Sequence, residues 1–311
     1  MSHNFSEHLE SKDKVNAHVF YIVFDLLDNG IGQDFVKFND ELFNDIPEFV
    51  FGPEVYKSKI ANNGVVPTIR EAMKAVYSIP EIQEAQREYL NSLNTEDKYV
   101  KRGEFGELLL YHLLHEYFNA NALISKIYFR DTGTIPAHGF DAVHVDVDQQ
   151  TLWLGESKLY KSGTRAIDEL VKDVIGYTET NGTTHKGHFN VDFFNSEFQI
   201  ITNRVHDSQN EYPEFIKTLI DPKTKVLDKL ANINVALFAG FDSKVIKDGF
   251  TKEIKEKITK ESNTLFERSE NKLEKGAWNN YLNIYLFLFP LGDKNEFVSK
   301  LHQKLKGAQQ I

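Results

Sequence analysis

The sequence contains no cysteine. That absence excludes a disulfide-built scaffold, any Cys-ligated zinc or iron–sulfur site, and cysteine-nucleophile chemistry. It also lacks a long hydrophobic run. The longest apolar stretch, Ile284 to Leu291, is broken by Pro290 and is far too short to span a bilayer. Met1 to Lys14 is polar and charged, without the apolar centre of a signal peptide, so the expectation is a soluble, cytoplasmic protein with no membrane partner. Positive charge is in deficit: 36 Lys and Arg against 46 Asp and Glu leave a net charge of −10. A free-standing nucleic-acid binder ordinarily carries a basic footprint; here nucleic acid would have to meet a local basic strip or be delivered by a partner. Three glycine signatures are missing as well: the G-x-x-x-x-G-K-[ST] P-loop, the G-x-S-x-G elbow and the G-x-G-x-x-G loop. No P-loop ATPase, elbow-type serine hydrolase or dinucleotide fingerprint is therefore expected on this chain.

What remains has a globular composition, with 41% hydrophobic and 26% charged residues in 311. A chain of this length buries a sizeable core without metal or disulfide staples. Short β-branched and aromatic runs predict strands at 18–24, 123–129, 139–147, 151–160, 197–202, 233–241 and 283–289. Three- and four-residue apolar spacing predicts helices at 35–43, 102–118, 164–177 and 295–306, with a solvated helical stretch at 252–275. Pro67-Thr68 opens one more helix, and Ser78 precedes another. Residues 185–190, with His185 and His188 three apart, read as an exposed polar loop. The alternation predicts an α/β protein with a mixed β-sheet flanked by helices. A faint shift in composition near residue 95 divides the chain into an N-terminal α/β segment, 1–95, without a usable motif, packed on the core or on a partner, and a segment 96–311 that carries the chemistry.

The informative stretch is Ile135-Pro-Ala-His-Gly-Phe-Asp141 followed by Leu154-Gly-Glu156-Ser-Lys158. An acid entering one strand, with Glu-x-Lys on the next, suits divalent-metal hydrolysis of a phosphodiester. Such a reaction needs phosphate charge neutralised and a water made nucleophilic. Mg²⁺, or Mn²⁺ in its place, does both while held by a few carboxylates. Glu156 and Lys158 are two apart on a strand, so they share a face at roughly 7 Å. If the two strands form a hairpin with paired numbers summing to 297, Asp141 lies opposite Glu156, Cβ atoms about 5 Å apart. A two-residue or four-residue loop gives that sum. Four residues, Val147 to Gln150, is preferred because Asp-Gln makes a poor primed turn. Asp141 then extends an apolar stripe of Val143, Val145 and Val147, and Glu156 and Lys158 extend one of Leu152 and Leu154. Acid-x-Lys alone is common, recurring at Glu10, Glu96, Asp221, Asp242, Glu253 and Glu270, but only Glu156 follows an apolar β run with an acid-bearing strand just before it.

The helix at 102–118 supplies a further candidate. Glu107, and behind it Glu104, lies in a first turn whose glycines permit close approach to a sheet. His144 points away from the site by strand alternation and reads as structural. His138, Lys161 and Arg165 are candidate contacts to a nucleic-acid backbone, with Lys98, Lys101, Lys126 and Arg130 as a wider basic rim.

At these residues the sequence resembles the PD-(D/E)xK nuclease superfamily. Gly103-Glu-Phe-Gly-Glu107 is similar to its first-helix acid motif, Gly139-Phe-Asp141 to its metal-binding Asp, and Glu156-Ser-Lys158 to its acid-x-Lys, with Phe140 where a proline would complete the name motif. More narrowly, Arg102 to Tyr111, His138 to Ala142 and Gly155 to Tyr160 resemble the nuclease subunit of the Hachiman anti-phage defence system. The resemblance implies a restriction-endonuclease-like core and a Mg²⁺-dependent DNase working with a superfamily 2 helicase. It implies that Asp141, Glu156 and the Ser157 carbonyl hold the metal, that Glu107 completes the acidic cluster, and that Lys158 positions water. A catalytically silent adaptor that regulates a helicase, and an RNase of the same architecture, are the alternatives.

Overall fold

The computed structural model describes residues 6–11, 16–28, 30–76, 104–125, 139–207, 213–276 and 278–309. In chain order these form β1 (Ser6–Ser11), β2 (Asn16–Ile22), β3 (Phe24–Leu27), β4 (Gly30–Gln33), α1 (Phe35–Phe51), α2 (Pro53–Asn63) and α3 (Val65–Ala75). Next come α4 (Glu104–Phe118), β5 (Asn121–Ser125), β6 (Ala142–Asp146), β7 (Thr151–Leu159), α5 (Gly163–Ile175), β8 (Gly176–Thr178), β9 (Thr184–Lys186) and α6 (Val191–Asp207). The last third holds α7 (Glu214–Ile220), α8 (Val226–Leu230), β10 (Ile233–Asp242), α9 (Lys244–Lys247), α10 (Ile254–Leu273), β11 (Asn283–Leu291) and α11 (Lys294–Gln309).

Seven strands make one mixed sheet in the order β1-β2-β11-β10-β7-β6-β5. Its centre is parallel, β2 with β11, β11 with β10 and β10 with β7, and both margins are antiparallel. Strand β10, Ile-Asn-Val-Ala-Leu-Phe-Ala-Gly-Phe-Asp, is buried along nearly its whole length, as a parallel strand covered on both faces must be. One face packs on α5, α6 and α10 through Ile167, Phe194, Phe198 and Ile258. The other packs on α1, α4 and α11 through Phe38, Leu109 and Phe297. The chain is thus a mixed α/β sheet flanked by helices. Within the N-terminal segment, β2 pairs with β11 and α1 packs on the second face, while residue 95 itself lies outside the described residues.

Most helices and strands fall where the periodicity put them. The run 197–202 does not: it lies inside helix α6. Its six residues are rich in β-formers, but Phe194, Phe198 and Ile201 are the ones buried, and their four- and three-residue steps define a helical stripe, not alternation. The stretch 185–190 is also not an open loop. Residues 184–186 pair with 176–178 as a small hairpin, Tyr177 opposite His185, and the chain then turns inward. The helix expected after Ser78 lies outside the described residues.

Candidate metal centre at the end of the central hairpin

Strands β6 and β7 pair from Ala142 with Gly155 to Asp146 with Thr151. The paired numbers sum to 297, as expected, and the loop is the four residues 147–150. Asp146 Oδ1 accepts a hydrogen bond from the Gln149 N–H, and Gln150 takes a positive φ of 54°, closing the loop without a glycine. Asp141 falls one residue beyond β6, where the ladder ends. Its carboxylate takes over there: Oδ2 accepts from the Ser157 N–H at 2.9 Å and from the Ser157 hydroxyl at 3.0 Å. The N–H groups of Leu152 and Tyr160 donate to Asn232 and Gly240 on the β10 side. Alternation therefore turns the Ser157 carbonyl to the β6 side, beyond the end of that strand.

Glu156 and Lys158 lie on the face of β7 covered by α5. Glu156 is 3% exposed and Asp141 7%. The Lys158 ammonium stands 4.0 Å from Glu156 Oε2 and 2.6 Å from Asp173 Oδ2 on α5. On the far side of Glu156, His188 Nδ1 lies 2.9 Å from Oε1, and the His188 ring meets Phe140 edge-on at 5.2 Å. The backbone fixes this histidine: its N–H donates to the Asp173 carbonyl, and that of Phe189 to the Val174 carbonyl. A fourth acid approaches from α6. Glu197 is buried, and its carboxylate sits where a side chain at Gly139 would go, with a Cβ there only 2.6 Å from Oε2.

The electrostatics follow from this crowding. Burial, and then the charge of Asp141, push the Glu156 carboxyl up to about 7 despite the opposing pull of His188 and Lys158. Burial alone would depress the Lys158 ammonium, but Glu156 and Asp173 outweigh it and hold the group firmly charged. His188 is raised for the same reason: its burial is more than offset by Glu156, with Asp173 and Glu197 adding to the pull. Two buried carboxylates that resist joint ionisation, made of hard oxygen donors, suit a divalent cation of the Mg²⁺ type. Among the described residues, no three His, Asp or Glu side chains form a ready metal cage.

Of the expected site residues, Asp141, Glu156, Ser157 and Lys158 come together. Glu107 is buried at 4% exposure, on a helix that lies across the opposite face of β7. There Gly106 fits over Ser157 and Leu159, a Cβ at 106 meeting Ser157 Oγ and Leu159 Cβ at 3.4 Å each. The Glu104 side chain and His138 lie outside the described residues, as do Lys98, Lys101, Lys126 and Arg130. His144 is on that opposite face too, bonded to the Ala120 carbonyl at 2.9 Å. Lys161 and Arg165 are exposed just past β7. Arg165 lies over the Tyr160 ring at 5.3 Å, and neither side chain is paired with the acids. Asp173, His188 and Glu197 escaped the sequence reading. The paired histidines at 185 and 188 were the one available signal for any of them.

The fold and site define a mixed α/β protein with a buried acid pair and a lysine at the end of its central hairpin. A family model described as HamA matches residues 2–305. The chain belongs to the HamA family, a subunit family of the Hachiman anti-phage defence system. No curated protein and no solved structure matches the chain.

Proposed function

We propose that this HamA-family chain is the nuclease effector of its defence complex, a Mg²⁺-dependent phosphodiesterase of PD-(D/E)xK type that cleaves DNA under the control of a helicase partner. One observation carries the reading: two buried carboxylates, Asp141 and Glu156, meet at the end of a hairpin with Lys158 on the adjoining strand position. Asp141 and Glu156 would hold the ion, with the Ser157 carbonyl and Glu107 as further oxygen donors. When bound, such an ion neutralises phosphate charge and acidifies a water. Lys158, kept charged by its acidic neighbours, would orient that water and stabilise developing negative charge. Ser157 holds the Asp141 carboxylate by two hydrogen bonds, fixing one ligand before anything binds. The family supports the defence role, and a multi-subunit system supports a partner. The missing P-loop agrees with ATP hydrolysis on another chain. Among the described residues, no helix is long and apolar enough to cross a membrane.

A second reading has its own observation. Glu156 and Lys158 are each engaged by a neighbour, His188 and Asp173, which suits a silent adaptor retaining a nuclease-like fold. Cleavage of plasmid DNA and of RNA, with Mg²⁺ or chelator and with or without a helicase partner and ATP, separates these. The expected result is metal-dependent DNA cleavage that Glu156→Ala and Lys158→Ala each reduce at least about a thousandfold while the circular dichroism spectrum stays unchanged. Full activity of Lys158→Ala removes the nuclease mechanism, and cleavage confined to RNA reassigns the substrate.

A further inference from the structure

The face of β7 that carries the acid site runs from the interior to the surface. Leu152, Leu154 and Glu156 are buried, Lys158 and Tyr160 are half-buried, and Lys161 and Arg165 beyond them are exposed. Tyr160 packs against the same core as Leu152 and Leu154, and its N–H still donates to the Gly240 carbonyl. Alternation therefore holds to the end of the strand. Glu156, Lys158 and Tyr160 form one row, with steps of roughly 7 Å. A strand of nucleic acid seated on Lys158 meets Tyr160 next on its way out.

Arg165 stands over that ring, its guanidinium carbon 5.3 Å from the centroid. The acids within helical reach of Arg165 are Asp168 and Glu169, three and four residues on. Both are taken, Asp168 by Arg268 and Lys272 and Glu169 by Lys172. Among the described residues no acid lies within ion-pair distance of Arg165, whereas Lys158, Lys172, Arg268 and Lys272 each have one. An aromatic face steadies a guanidinium without consuming its N–H donors. Those donors form a fork that matches the oxygens of a phosphate. A cation whose acidic neighbours are engaged elsewhere, held on a ring at the open end of the site, is arranged for an anion that arrives from outside.

We propose that Arg165 binds the phosphate next to the one that is cleaved, and that Tyr160 is the positioning residue that places its guanidinium. The proposal rests on the nuclease reading and adds to it the path of the substrate. The strand leaves along the end of β7, with Lys158 at the reacting phosphate and Arg165 at the adjoining one.

Charge and placement are separable by experiment. Fluorescence anisotropy of labelled oligo-dT with the full chain, in chelator and over a salt series, reads both. Arg165→Gln is expected to weaken binding about tenfold and to lessen the slope of log K on log salt by about 0.7. Tyr160→Leu keeps the charge and loses the ring, so affinity should fall while the slope stays. Tyr160→Phe, which keeps the ring, should bind as wild type does. Unchanged affinity and slope in Arg165→Gln overturn the phosphate contact. Tyr160→Leu binding as tightly as wild type, or Tyr160→Phe falling as far as Tyr160→Leu, overturns the positioning role. Should the Leu variant misfold, Tyr160→Met takes its place. Position is read from Mg²⁺-dependent cleavage by the chain in its complex, on strands of uncharged methylphosphonate linkages that hold one phosphodiester or two adjacent ones. The second phosphodiester is expected to lower KM about tenfold for wild type and little for Arg165→Gln. An equal fall in both proteins puts Arg165 elsewhere and overturns the proposal. Weakened binding in Arg165→Gln with no cleavage by wild type sinks the nuclease reading only, whereas cleavage with a KM that ignores the adjacent phosphate sinks the Arg165 contact only.

Discussion

Glu156 holds a charge that its surroundings disfavour. A carboxyl raised from its ordinary value to about 7 stabilises the folded chain most fully below pH 4.5, where it is protonated whether folded or not. That contribution is lost as the pH climbs through about 7 and the buried group must ionise beside Asp141. Glu156→Gln fixes the neutral form. The expected outcome is a melting temperature equal to wild type near pH 4 and higher by about 2 °C or more at pH 8.5 without divalent ions. Added Mg²⁺ should stabilise wild type and leave the Gln variant unmoved. A variant less stable at pH 8.5 would show that His188 and Lys158 need the charge more than burial opposes it. Asp168 behaves in the opposite sense. The two hydrogen bonds from Arg268, with Lys272 adding a third, hold its carboxyl at about 2. Its contribution is therefore present above pH 3.8 and lost as the pH falls through about 2. Asp168→Asn should cost about 1 kcal/mol in urea unfolding at pH 7 and nothing near pH 2.

At the scale of elements, the β6–β7 hairpin was legible because strand geometry is local. A period of two and a short loop leave few registers, and only a sum of 297 puts Asp141 and Glu156 on one face. Helix α6 was misread because a six-residue window cannot distinguish a buried strand from the middle of a helix. The deciding residue, Phe194, lies outside that window. Asp173, His188 and Glu197 were illegible for another reason: each reaches the site from a different element, and no local spacing links them to Glu156. The glycines show how tightly that assembly is set. A Cβ on Gly187 would collide with the Gly176 amide nitrogen and the Val174 carbonyl, backbone atoms that cannot swing aside as side chains do. Gly187→Ala should therefore lift the hairpin and draw His188 off Glu156, at a cost of about 1–3 kcal/mol. The expected signature is faster amide exchange across 176–190 with the exchange of β10 unchanged. Uniform loss of protection would mean that the hairpin and the sheet unfold as one.

The whole molecule poses a problem that its parts do not. The proposed chemistry requires a polyanion at a pair of buried acids, on a chain whose net charge is −10. Long-range electrostatics oppose the encounter, and short-range groups favour it: among the described residues, Lys158 inside, and Lys161 and Arg165 outside. Few phosphates would then be neutralised in the bound state. Each neutralised phosphate steepens the dependence of log K on log salt by about 0.9 on duplex and about 0.7 on single strands. The isolated chain is therefore expected to bind DNA weakly, with a salt slope no steeper than about −2. A partner that grips the backbone itself should add both affinity and slope, leaving this subunit to supply the reactive groups. Anisotropy over a salt series in chelator, with the chain alone and with its partner, measures both quantities. A steep slope from the chain alone would mean that its acidic total hides a basic track long enough to hold DNA unaided, and delivery by a helicase would no longer be needed to explain how substrate reaches the acids.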